Sequence, residues 1–240
     1  MHAIEELIIL DKESPLILKR SKLTVSLENE LDEYILSCSR ALTSLSSSMD
    51  KARLSLSLLD IKHLESISSD EHPKSLYIEL IIENSIIRVQ SIYDRALILT
   101  NKLLDLGVSN DSINHNLIVT NEKVQKYGLH SKLRAIHKAC NQYRLIRNTV
   151  IHHDRFTEDE FNQLSLVINA DHMSRKLNRG EFIDRATLDE LTQTYLDIKR
   201  EDLSEYLDAI ESRLGDYFDT AAPIYGIYKD KMRSTITPQA

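Results

Sequence analysis

A chain of 240 residues, 42% hydrophobic and 28% charged, is long enough for one large or two small domains. Only 5 Gly and 4 Pro, no Trp and 6% aromatic residues exclude a turn-rich architecture and leave Leu and Ile to pack long helices. The 2 cysteines, Cys38 and Cys140, exclude a disulfide framework, and no leader or uncharged membrane-length stretch is present, so a soluble cytoplasmic protein with no membrane partner is expected.

Residues 1–22 read as an N-terminal arm with two short apolar runs, Leu7–Leu10 and Leu16–Leu18, which fit either strands or irregular chain. From Leu23 the pattern turns helical, with Leu27, Leu31, Tyr34, Cys38, Leu42 and Leu45 on one face. The serines at 44–48 weaken it, and Asp50 is placed to cap a second helix reaching about Ile67. Whether this is one bent helix or two stays open.

Pro73 suits the first position of a new helix that runs to about Leu106, closed by Gly107. Its apolar stripe is Ile78, Ile82, Ile86, Val89, Tyr93 and Leu97, and a second row makes it a central helix packed on two sides. Glu83, Gln90, Asp94 and Asn101 share a polar line along it, read as a solvated strip, although Asp94 and Arg95 could also lean toward the next long helix. A polar loop from Gly107 to Thr120 follows, and Asn121 is placed to cap a short helical turn. A helix is then expected from about Ser131 to His152.

Thr157–Glu160 has the form of a capping box, setting the next helix start near Glu158; a basic loop covers Met173–Glu181. A second such box at Thr187–Glu190 opens a helix running to Phe218, with an irregular tail from 219 to 240. Residues 23–218 are therefore expected to form a single all-helical domain.

The stretch that carries chemistry is Arg144–Arg155. Leu133, Ile136, Cys140, Tyr143 and Val150 recur at helical spacing only if Arg147 is counted between the last two. A guanidinium on an apolar seam must be paired, or must face a cavity or a partner that supplies anionic oxygens. Asn148 follows it, and His152 and His153 lie five and six positions beyond Arg147. From Asn121 to Phe156 there are eight Lys and Arg residues against Glu122 and Asp154, a local charge of +6 within a chain of net −7. For a phosphate ligand the local field matters more than the total.

Arg147-Asn148 followed by His152, at the end of a helix in an all-helical chain, resembles the signature of the HEPN superfamily, with His153 a second candidate for the histidine. The resemblance covers roughly residues 73–156. It implies an all-α, up-down bundle of long antiparallel helices, here with further segments at both ends, in which the 73–106 and 131–152 helices pack side by side. It also implies a metal-independent endoribonuclease, without cofactor, acting as a toxin or defence effector under an antitoxin or regulatory protein. His152 or His153 would move protons and Arg147 would hold the phosphate oxygens, with Asn148 orienting the phosphate or the backbone. Lys138, Arg144 and Arg155 would add sequence-independent attraction to RNA. On a straight helix a residue five positions on is turned about 140° away. Arg147 and His152 therefore meet only if the helix unwinds or a homodimer builds a composite site, and the resemblance favours the dimer. Some members carry a tyrosine two residues after the histidine; here Asp154 stands there, or Arg155 counted from His153.

The alternative is a non-catalytic helical module that binds RNA, nucleotide or a partner protein through the same basic face. His137 and Cys140 have the i, i+3 spacing of two metal ligands, but no second pair follows, and core packing explains Cys140 better.

Overall fold

The computed structural model describes residues 2–19, 22–67, 71–153 and 156–236, and it is almost entirely helical. Contacts group the chain into two compact units: Met1–Met49, Ser91–Cys140 and Ile210–Ala240 form unit 1; Asp50–Gln90 and Asn141–Ala209 form unit 2.

The arm is ordered. Helix α1 (Ala3–Ile9) is capped by a reciprocal box between His2 and Glu5 and buries Ile4 and Ile8. Strands β1 (Leu16–Lys19) and β2 (Lys22–Val25) pair antiparallel, Leu16 opposite Val25. Helix α2 therefore starts not at Leu23 but at Glu30, where Asn29 Oδ1 accepts the Asp32 N–H at 3.0 Å. It continues unbroken to Ser57, so Asp50 caps nothing. Its serines are tolerated because their hydroxyls find partners: Ser48 donates to the Ser44 carbonyl, and Ser46 to the Glu5 carboxylate of α1. The cap belongs to Asp60, whose carboxylate receives the N–H groups of Lys62 and His63 at the start of α3 (Ile61–Ile67).

Helix α4 (Lys74–Leu103) is the expected central helix, with Ile78, Ile82, Ile86, Val89, Tyr93 and Leu97 all buried. Its end is a Schellman turn in which Leu106 N–H reaches the Asn101 carbonyl and Asp105 N–H the Lys102 carbonyl. The left-handed residue is thus Asp105, at φ 43°, two positions before the expected Gly107. The loop that follows holds a short 3-10 turn and α5 (His115–Val119), capped by Asn114; Asn121 caps α6 (Glu122–Lys126) as expected.

The helix expected over 131–152 comes in two pieces. Helix α7 (Leu129–Cys140) buries Leu129, Leu133, Ile136 and Cys140; after a turn at Asn141–Tyr143, α8 (Arg144–His153) begins. Helix α9 (Asp159–Lys176) starts one residue later than the Thr157 box implies: its N-cap is Glu158, whose side chain makes no capping hydrogen bond and instead meets Tyr195 and Lys199. It also runs through much of the expected basic loop, ending with Asn178 in the left-handed region. The start of α10 (Arg185–Ile236) is likewise set by Asp184, which caps Thr187, rather than by Thr187 itself.

The largest departure is the tail. Helix α10 continues through Pro223 to Ile236 and buries Ala221, Ile224, Tyr225 and Tyr228. Pro223 offers no N–H to the Asp219 carbonyl, a loss that normally breaks a helix. Two polar ties in unit 1 hold the region in place. Asp11 accepts from both Tyr225 OH at 2.6 Å and Lys229 Nζ at 2.7 Å, while Glu13 bridges Lys229 and Arg233, each at 2.6 Å. Neither cysteine is in a disulfide and both are buried; burial pushes the Cys38 thiol up to about 12, so Cys38 supplies no reactive thiolate.

Candidate functional site

Within unit 2, α8 and the segment after it are tied to the Lys74–Gln90 stretch of α4. Arg147 Nη1 donates to Gln90 Oε1, and beyond the motif Phe156 N–H donates to Glu83 Oε1 at 2.7 Å. Successive contacts along one chain thus descend along the other. Of the polar line on α4, Asp94 is exposed as a solvated strip requires, whereas Glu83, Gln90 and Asn101 are engaged. Glu83 and Gln90 fasten the two ends of the motif, and Asn101 clamps both the N–H and the carbonyl of Val108. Arg95 does not lean toward the motif; it donates to Ser44 Oγ at 2.8 Å in unit 1.

The break at Asn141–Tyr143 changes the setting of Arg147. Arg144 N–H closes the turn onto the Asn141 carbonyl, and Arg147 N–H makes the first helical bond of α8 to Tyr143. The seam through Leu133, Ile136 and Cys140 therefore does not continue across the turn, and Arg147 is half-buried rather than immersed in the core. Its guanidinium bonds two neutral oxygens, that of Gln90 and Asn148 Oδ1 at 3.2 Å. Among the described residues no carboxylate pairs with it. Among the described residues the positive charge is oriented but not neutralised.

Arg144 lies exposed at the first position of α8, and Leu145 beside it is 82% exposed. The first turn of α8 contains no acidic residue, so two arginines sit at the positive end of the helix dipole. The backbone stays helical through His153. Position 152 is therefore turned about 140° from Arg147 about the helix axis, which removes unwinding as a way to bring the two together. The side chains of His152 and His153, and all of Asp154 and Arg155, lie outside the described residues. Lys138 is exposed on α7, in unit 1.

The segment after the motif is firmly seated. Phe156 is fully buried and packs on Phe161 with ring centres 5.6 Å apart; Lys199 Nζ lies 5.5 Å from the Phe156 ring. Lys199 is itself buried and donates to Glu158 at 2.6 Å, and Tyr195 OH donates to the other Glu158 oxygen at 3.0 Å. Before the motif, Tyr143 packs against Tyr206 at 4.6 Å, and burial, with Asp202, Glu158 and Glu205 nearby, raises its hydroxyl pKa. Tyr143 stays neutral and acts as an anchor.

His137 does not join Cys140 as a metal ligand. Its ring packs 4.7 Å from Tyr93 and 4.6 Å from His115, while Cys140 points into the core. Among the described residues no three His, Cys, Asp or Glu side chains gather as a metal site. Nor is any described helix long and apolar enough to cross a membrane.

Motif reasoning found Arg147 and Asn148 but missed Gln90 and Glu83. The available signal was their spacing: two half-buried polar residues seven apart, two turns along one face of α4.

No curated protein and no solved structure matches the chain. The family model described as HEPN_Cthe2314-like HEPN matches residues 24–222, which takes in every helix from α2 to α9, the motif and most of α10, and the chain therefore belongs to the HEPN superfamily.

Proposed function

We propose that the protein is a metal-independent endoribonuclease, working as a toxin or defence effector in the cytoplasm. The support is the state of Arg147: an oriented guanidinium whose charge no described carboxylate cancels, on a helix whose first turn is basic. Such a group suits the equatorial oxygens of a phosphorane, where negative charge accumulates as the reaction proceeds. The ribose 2′-OH, losing its proton to a histidine, attacks the adjacent phosphorus. The bond to the 5′-oxygen breaks, and that oxygen takes up a proton, leaving a cyclic phosphate and a free 5′-OH. Histidine suits both transfers because its ordinary pKa of about 6.5 lies near working pH. Need for the 2′-OH makes the reaction specific to RNA.

His152 and Arg147 of one copy do not share a face of α8, so the site is completed by a second copy. The exposed Leu145 on α8 and the exposed row Leu76, Leu80 and Ile87 on α4 supply an apolar surface for that pairing. A non-catalytic RNA-binding module is the second reading, favoured by the same separation of Arg147 from the histidine position if the chain stays monomeric. The deciding experiment incubates purified protein with labelled RNA and with DNA of matching sequence, in EDTA, alongside sedimentation. Cleavage of RNA alone by a dimer, leaving cyclic phosphate ends, supports the nuclease. RNA binding by a monomer without cleavage supports the module.

A further inference from the structure

A groove of about 720 Å³ runs between α9 and α10 within unit 2, away from the residues assigned to cleavage. Its α10 wall presents Leu191, Tyr195 and Ile198 at i, i+4 and i+7; its α9 wall presents Leu164 and Val167. Leu191 and Ile198 belong where a helical core would bury them, yet they are 47% and 58% exposed. Two walls with three–four spacing, open on one side, form the vacant position of a helical bundle, and the i, i+4, i+7 row matches the anchors of a helix laid in a groove.

Charge identifies the occupant. Glu160, Glu190 and Asp202 line the groove, and none pairs with a cation among the described residues. Glu158 also lines it, but Lys199 and Tyr195 occupy its carboxylate. The result is an apolar floor flanked by three acids that no described cation pairs, one at the α9 side and two near opposite ends of the α10 row.

We infer that this groove docks a basic amphipathic helix of a partner protein, its apolar face on Leu191, Tyr195 and Ile198 and its lysines or arginines on Glu160, Glu190 and Asp202. The apolar row supplies affinity, and the acids select against neutral or acidic helices. The groove wall and the motif share a strut: Lys199 touches both Glu158 and the Phe156 ring, and Phe156 N–H is held by Glu83. A helix seated here therefore bears on the segment that follows the motif.

The test uses the full chain and three fluorescein-labelled synthetic 15-residue peptides followed by fluorescence anisotropy. One is a Leu/Lys peptide with its leucines on one helical face; one has the same composition scrambled; one replaces Lys by Glu. The amphipathic Leu/Lys peptide should bind saturably at one per chain. The scrambled peptide should bind at least tenfold more weakly and the Leu/Glu peptide not at all. Ile198→Asp, on an exposed side chain, should weaken the first peptide at least tenfold. The pair Glu190→Gln with Asp202→Asn, which leaves the apolar floor intact, should weaken it and reduce its salt dependence. Equal binding of the ordered and scrambled peptides, no binding, or binding unaffected by both variants overturns the inference. So does a dimer that Ile198→Asp converts to monomer, since a second copy would then fill the groove.

Discussion

Replacing Lys229 by Met should lower the melting temperature by roughly 6–12 °C. The Asp11 side chain is only 4% exposed and rests on three donors: Lys229 Nζ, Tyr225 OH and Glu13 N–H. Methionine keeps most of the aliphatic volume of lysine, so the substitution removes charge rather than packing. Breaking a buried pair by removing one partner costs about 3–5 kcal/mol. Lys229 is 14% exposed and its second partner Glu13 lies nearer solvent, so the lower end, about 3 kcal/mol, applies. In a chain of this size each kcal/mol moves the midpoint by about 2–4 °C. Burial alone would raise the Asp11 pKa, but the bonds from Lys229 and Tyr225 outweigh it and hold the carboxyl below its ordinary value; Lys229 and Arg233 do the same for Glu13. Stability from these carboxylates is complete above their unfolded values of about 4 and is lost as pH falls through the folded ones. Burial likewise opposes charge on Lys229, but Asp11 and Glu13 prevail and raise its pKa, so its contribution holds up to about pH 10 and fades above. The parent and Lys229→Met should therefore differ steadily from pH 5 to 9, and the gap should narrow toward pH 3. Thermal melts followed by circular dichroism measure both effects. A difference under 2 °C at pH 7, or one unchanged at pH 3, refutes the reasoning.

Arg147→Ala and His152→Ala should each reduce RNA cleavage by about 100- to 10,000-fold with unchanged circular dichroism, while His153→Ala is mild; full activity in all three rules out the nuclease. Gln90→Glu should weaken RNA binding and cleavage more than Gln90→Leu, because it neutralises Arg147 as well as holding it; the reverse order in filter-binding and cleavage assays would show that orientation outweighs charge. Lys138→Ala should lower RNA affinity modestly and flatten the plot of log affinity against log salt by about 0.7, the share of one phosphate contact on a single strand. An unchanged slope removes Lys138 from the RNA surface.

Helix α4 was legible because its 3.6-residue apolar period persists for thirty residues without Gly or Pro. The split between α7 and α8 was not, because Asn141-Gln142-Tyr143 contains no strong breaker and the apolar spacing carries on through it by coincidence. Along α10, Gly215, Pro223 and Gly226 argued locally for an end. Distant residues overrule them: buried Tyr217 and Tyr225, and an N-terminal carboxylate more than 200 positions away that grips Lys229. Capping signals erred for a related reason. Glu158, held by the distant Lys199 and Tyr195, takes the N-cap of α9 in place of Thr157, and Asp184 reaches the Thr187 N–H first. At the motif, local spacing identified Arg147 and Asn148, whereas the acceptor Gln90 lies 57 residues away and becomes a neighbour only through packing.

Ten residues are fewer than an isolated helix needs to persist in water, and α8 opens on two arginines where its dipole favours anions. It remains helical because Gln90 holds it near one end and Glu83 secures the chain just past the other. A segment tethered in this way can open alone, at a free energy set by those ties rather than by the stability of the whole molecule. Its backbone amides should exchange with deuterium well before those of α4. An anion arriving at the first turn would relieve the charge conflict there and slow that exchange, so a phosphodiester bound at Arg144 and Arg147 would order the helix that holds it.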